Sequence, residues 1–133
     1  MGCAAGSGGV STWKARPTTY RGIPMRSRLE ARFAATLDEF VAAVNVDGGD
    51  VRWEYEPRAF ANERGQYLPD FAIYTEVGTN WFIEVRPHYE GMVKALPQMQ
   101  VILDSDPDAT LWVVSPVGSY WRDGNGPWRW VAA

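Results

Sequence analysis

Residues Thr110 to Ser115, Thr-Leu-Trp-Val-Val-Ser, form a continuous apolar run that reads as a strand buried inside a sheet. The segments before it supply the rest of such a sheet and its cover. From Arg26 the pattern is helical, with Leu29, Phe33, Leu37, Phe40, Val41 and Val44 recurring at three and four. Ser27 is a good N-cap, and Asn45 to Gly49 ends the helix. Three strand-like segments follow: Val51 to Glu56, stopped by Pro57, then Tyr67 to Tyr74 and Asn80 to Arg86, bridged by a turn around Glu76-Val77-Gly78. Arg58 to Gln66 is polar and reads as a loop. A second helix is expected within Tyr89 to Leu103, begun or kinked by Pro97. The end, with Asp123-Gly124-Asn125-Gly126 between two Trp-rich segments, reads as a hairpin. The order is α-β-β-β-α-β with a terminal hairpin, an α/β sandwich around a mixed sheet.

With 133 residues this is one domain. Residues 1–19 lack an apolar period and read as a disordered basic tail, leaving residues 20–133 for the fold. Cys3 is the single cysteine, so no disulfide forms within the chain and a reducing, cytoplasmic setting is expected. No apolar run approaches the roughly 18–20 residues of a membrane span. Met1-Gly2-Cys3 begins like a lipidation signal, but Gly6 stands where that signal needs Ser or Thr.

The net charge of −3 hides a split. Residues 1–35 carry six cations against Glu30 alone, a net of +5, and the remaining seven cations face fifteen acids, a net of −8. A basic arm before an acidic body suits contact with phosphate on one face and with cations on another, although a solvated tail ahead of an ordinary acidic domain has the same charge pattern.

With period two, Leu68, Asp70, Ala72 and Tyr74 share one face of the second strand-like segment, and Phe82, Glu84 and Arg86 share one face of the third. Asp70 and Glu84 therefore interrupt otherwise apolar strands. If those strands are neighbours, two carboxylates stand close together, and a buried pair needs a proton or a metal ion between them. Oxygen-only ligands favour Mg²⁺ or Mn²⁺. Pro69 lacks a ladder donor, which fits a strand bent or at an edge just where Asp70 is presented. The plainer alternative has Asp70 capping a turn and Glu84 paired with Arg86 on a wet face.

Pro69-Asp70, thirteen intervening residues, then Glu84-Val85-Arg86 resembles the P-D…(D/E)-x-K signature of the PD-(D/E)XK nuclease superfamily. The stretches Tyr20 to Phe33, Trp53 to Pro57 and Tyr67 to Phe71 also resemble small phage and mobile-element members. The resemblance covers roughly Tyr20 to Ser115. It implies a restriction-endonuclease-like αβββαβ core, its central mixed sheet flanked by helices, to which the residues after Ser115 add the C-terminal hairpin. It further implies a Mg²⁺-dependent endonuclease acting on DNA, with Asp70, Glu84 and the carbonyl of Val85 on the metal and Glu30 as an additional acidic residue nearby. The metal would activate water for attack on a phosphodiester.

Other readings compete at several of these positions. Ser27-Arg28-Leu29-Glu30 is also an S-x-x-E capping box, in which Glu30 returns to the Ser27 N–H. Arg86 stands where the family has lysine; arginine can hold a phosphate oxygen but cannot act as a base. Lys94, with Gln98 one turn later, could supply a migrated lysine or could lie on a solvated helix face. His88 is the only histidine and reads as a surface or supporting residue. Arg21, Arg26 and Arg28 are candidate phosphate contacts. Trp121, Trp128 and Trp130 could stack on bases, and a hairpin covering the core explains them better.

The leading expectation is a small metal-dependent endonuclease, with a homodimer to reach both strands. A catalytically impaired nuclease-fold nucleic-acid binder is the alternative, and a protein-interaction module with exposed aromatics a third.

Overall fold

The computed structural model describes residues 16–76 and 78–133. The readings of the tail before Arg16, of Cys3 and of Val77 fall outside the described residues.

Six strands form the central sheet. Their ranges are β3 (Val51–Tyr55), β6 (Phe71–Thr75), β7 (Trp81–Val85), β8 (Thr110–Ser115), β9 (Gly118–Asp123) and β10 (Arg129–Ala132), in the spatial order β10-β9-β8-β7-β6-β3. Only the β7–β8 pair is parallel; the others are antiparallel, so the sheet is mixed. Helix α1 (Arg28–Val46) precedes β3. Helices α2 (Tyr89–Gln98) and α3 (Gln100–Ser105) make the crossover that a parallel pair requires. The core order is therefore the expected α-β-β-β-α-β with a terminal hairpin.

Strand β8 sits centrally, and its side chains alternate between two cores. Leu111 and Val113 face one with Phe82, Met92, Ala95, Met99 and Ile102, under α2 and α3. Trp112 and Val114 face the other with Phe71, Ile73 and Ile83, under α1. Burial on both faces is why the run is apolar throughout.

Several local expectations are corrected. Thr18 and Thr19, placed in the tail, belong to β1 (Thr18–Tyr20), which pairs with β2 (Ile23–Met25). The two-residue loop Arg21-Gly22 has positive φ at both positions, 50° and 81°, as a tight hairpin turn demands. Arg58 to Gln66 is not merely a loop: β4 (Phe60–Asn62) pairs with β5 (Gly65–Tyr67). The tip of this hairpin is tied to α3, since Asn62 Nδ2 and Arg64 Nε donate to Asp104 Oδ2 at 2.6 and 2.7 Å. Tyr67 thus ends β5, and the following strand starts at Phe71, beyond Pro69 and Asp70. The second helix breaks at Met99, two residues after Pro97, whose missing N–H weakens the last turn of α2. Finally, α1 buries Ala34 and Leu37, whereas Val41 and Val44 are half-buried and Phe40 is 46% exposed, so its apolar stripe is covered best in the N-terminal half.

Candidate active site

Strands β6 and β7 pair as Phe71↔Ile83 and Ala72↔Phe82. One step further in that register sets Asp70 opposite Glu84. Both carboxylates are buried, 2% and 3% exposed, at the ends of neighbouring strands. They line a cleft of about 450 Å³ with Arg26, Ser27, Glu30, Tyr67, Val85 and Arg86.

Each acid is held by named donors. The Val85 N–H donates to Asp70 Oδ2 at 2.8 Å, and Arg26 Nη2 reaches Asp70 Oδ1 at 3.2 Å. The Asp70 carbonyl accepts from the Glu56 N–H at 2.7 Å, which extends the β3–β6 ladder by one bond. There Glu56 takes a left-handed φ of 46°, and Pro57 turns the chain away. Glu84 accepts from the Tyr67 hydroxyl and pairs with the Arg86 guanidinium. The sequence alternative of a Glu84–Arg86 pair is therefore realised, but on a buried carboxylate and not on a wet face.

Burial pushes the Asp70 carboxyl up to about 7, and the nearby Glu30 charge adds to the shift. The Val85 N–H, Arg86 and Arg26 act the other way without outweighing desolvation. Burial likewise pushes the Tyr67 phenol well above its ordinary value, so it stays a proton donor to Glu84.

Glu30 is 6% exposed on the first turn of α1. Only half of the capping box forms. Ser27 Oγ accepts from the Glu30 N–H at 3.1 Å, whereas the Glu30 carboxylate accepts from the Arg26 N–H at 2.9 Å, one residue before the N–H expected. The Tyr55 hydroxyl also donates to Glu30 Oε1 at 2.9 Å. Glu30 thus lies on the wall of the cleft, tied to Arg26, the residue after β2, and to β3.

The expected site residues divide by position. Glu30, Asp70, Glu84, Val85, Arg86 and Arg26 come together. Arg26 bridges Asp70 and Glu56, the latter at 2.8 Å, from a position 64% exposed on the rim. Arg28 is exposed on α1, and Arg21 is at the β1–β2 tip, paired with Asp38 at 3.4 Å. Lys94 is not brought to the cleft. Helix α2 buries Met92 and Ala95, and Lys94, about 200° around the helix from Met92, is exposed, as is Gln98. His88 is exposed at the N-cap of α2. Trp128 packs on the α2-side core, as a covering hairpin should, while Trp130 is 42% exposed against Tyr89 and Tyr120.

Tyr67, Tyr55 and Glu56 are the site residues that sequence reasoning missed as functional groups. All three stood inside the motif blocks, yet their roles depend on the β4–β5 hairpin and on the turn after β3.

Among the described residues, no group of three or more His, Cys, Asp or Glu side chains is arranged to hold a metal ion. What the cleft offers is two carboxylates and a backbone carbonyl, an all-oxygen donor set of the kind hard divalent ions take. A buried carboxyl that resists ionisation when left alone, as Asp70 does, is what such an ion would relieve, so the donor chemistry fits.

No protein-family model matches the sequence, and no curated protein matches it. Among solved structures the chain is similar to a candidate nuclease belonging to DUF820 from Anabaena variabilis. The TM-score is 0.53 at 9% identity, over 85% of this chain and 74% of that one. The likeness is one of fold, the mixed α/β architecture around a central mixed sheet. Among the described residues, no helix is long and apolar enough to cross a membrane.

Proposed function

We propose that this chain is a nuclease of the PD-(D/E)XK type, a Mg²⁺- or Mn²⁺-dependent DNA endonuclease of phage or mobile-element kind. The observation that carries the reading is the buried pair Asp70 and Glu84, set opposite each other by the β6–β7 register beside the Val85 carbonyl. The fold shared with a candidate nuclease supports it.

Asp70, Glu84 and the carbonyl of Val85 would hold the ion. When bound, it supplies Lewis acidity at a phosphodiester and lowers the pKa of water. The protein's own groups set up that chemistry. Tyr67 fixes one oxygen of Glu84, and the Val85 N–H fixes one oxygen of Asp70, so both carboxylates are oriented before substrate arrives. Arg86 offers a planar, permanently charged fork for a phosphate oxygen and for the charge that develops on it. Arg26 on the rim, with Arg28 at the first position of α1, is placed to meet the phosphate backbone. Arg86 cannot take a proton from water, so deprotonation falls to other groups. A homodimer would let one such cleft address each strand.

A second reading has one specific observation in its favour. Arg86 is engaged with Glu84, which suits a nuclease-fold nucleic-acid binder with impaired catalysis. Supercoiled plasmid and single-stranded DNA, incubated with the protein in Mg²⁺, Mn²⁺ or EDTA beside Glu84→Ala and Arg86→Lys, separate the two. Cleavage that needs metal and Glu84 establishes the nuclease. Silence in the wild type with activity in Arg86→Lys identifies a site disabled at one position. Silence throughout, with a salt-sensitive gel shift on DNA, supports the binder.

A further inference from the structure

We propose that Arg86 is the resident cation of the cleft, its Nη1 seated where the oxygens of Asp70, Glu84 and Val85 converge, so that a divalent ion binds only by displacing it. The inference rests on the metal-site reading above and assigns Arg86 the role of setting metal affinity.

Three contacts meet at that one nitrogen. Arg86 Nη1 pairs with Glu84 Oε2, donates to the Val85 carbonyl at 3.2 Å, and lies 3.8 Å from Asp70 Oδ2. These are the same three groups that would hold an ion. A guanidinium and a divalent ion repel, and at the few ångströms available they cannot share the point.

The surroundings keep the arginine in place and still leave it an exit. Its backbone N–H donates to the Val114 carbonyl at 2.9 Å, continuing the parallel β7–β8 ladder. Its stem passes over Gly91, where a Cβ would come within 3.2 Å of Arg86 Cδ, so the missing side chain makes the room. The side chain is 29% exposed, so rotation about its own torsions carries the guanidinium outward with no change in the fold. Arg26 behaves differently. It pairs with Asp70 and Glu56 from the rim and leaves the convergence point to Arg86.

The test is Mn²⁺ binding to the full chain by titration calorimetry, for the wild type, Arg86→Gln, Arg86→Lys and Arg26→Gln, each checked for folding by circular dichroism. Arg86→Gln should bind at least tenfold more tightly than the wild type. Arg86→Lys should fall between them, and Arg26→Gln should gain threefold or less. Equal affinity in the wild type and Arg86→Gln overturns the proposal. So does a gain in Arg26→Gln matching that of Arg86→Gln, because the effect would then be general charge and not occupancy of one point. If Arg86→Gln does not fold, Arg86→Lys decides: a gain supports the proposal, and no gain overturns it. Folded variants that all fail to bind Mn²⁺ would remove the metal-site reading itself, an outcome distinct from equal binding.

Discussion

Replacing Asp70 by asparagine should make the metal-free protein more stable, and the gain should depend on pH in a calculable way. Burial raises the Asp70 carboxyl from 3.8 to about 7. Below pH 4 the group is protonated in both folded and unfolded chains and makes no difference. Between pH 4 and pH 7 the folded chain keeps a proton that the unfolded chain has released, so stability falls as pH rises. At about 1.4 kcal/mol per unit, a window of roughly three units removes about 4 kcal/mol by pH 8. Asparagine does not titrate. It has nearly the same shape, and its carbonyl can still accept from the Val85 N–H, while the lost pairing with Arg26 gives an offset that varies little across the window. Urea unfolding in EDTA at unit steps from pH 4 to pH 8 measures the effect. The stability of Asp70→Asn minus that of the wild type should climb by about 4 kcal/mol over this range. A difference flat to within 1 kcal/mol, or one that falls with pH, would refute the argument that desolvation dominates at this carboxyl.

Three further substitutions probe the frame around the site. Ser27→Ala removes the acceptor for the Glu30 N–H and should cost about 1 kcal/mol in urea unfolding. Tyr67→Phe deletes the hydroxyl on buried Glu84 and should cost about 1–3 kcal/mol at neutral pH, with an unchanged far-ultraviolet spectrum. Gly118→Ala places a methyl 2.7 Å from the Val131 carbonyl and against the Trp130 ring, at a φ of +151°. It should lower the melting temperature by an amount equivalent to about 1–3 kcal/mol.

The parts of the fold legible in the sequence are those where local pattern and tertiary role agree. Strand β8 begins and ends at Thr110 and Ser115 as read, because burial on both faces leaves no polar position to blur it. The β1–β2 and β4–β5 hairpins left no such trace. Their strands are three residues long, and what holds the β4–β5 tip is remote, Asp104 on α3. Arg-Gly also carries a weaker turn signal than Asn-Gly. In the site, Asp70 and Glu84 stood out because an acid within an apolar strand is costly and needs a reason. Tyr67 and Tyr55 did not, since an aromatic at a strand end is unremarkable until the chain folds back to aim its hydroxyl. The exposure of Lys94 could have been read from the phase of Met92, Ala95 and Met99, which marks the buried side of the crossover helices. The seat of Arg86 depends on a rotamer and on the space above Gly91, and spacing alone does not encode either.

Glu84 lies in β7, and Asp70 and Arg86 directly flank the single β-hairpin formed by β6 and β7, which bears on how the chain reaches its folded state. Short loops close sooner than long ones, so contacts within a hairpin are expected to form ahead of those that wait for a distant helix. The two acids are then drawn together while their surroundings are still wet. The balancing cation arrives at the end of the same strand, two residues after the second acid. Helix α2 can settle over β7 without sealing in two bare like charges, a step that would otherwise raise the barrier to folding. Had the counter-charge been carried by α1, the hairpin would have had to wait for that helix to dock.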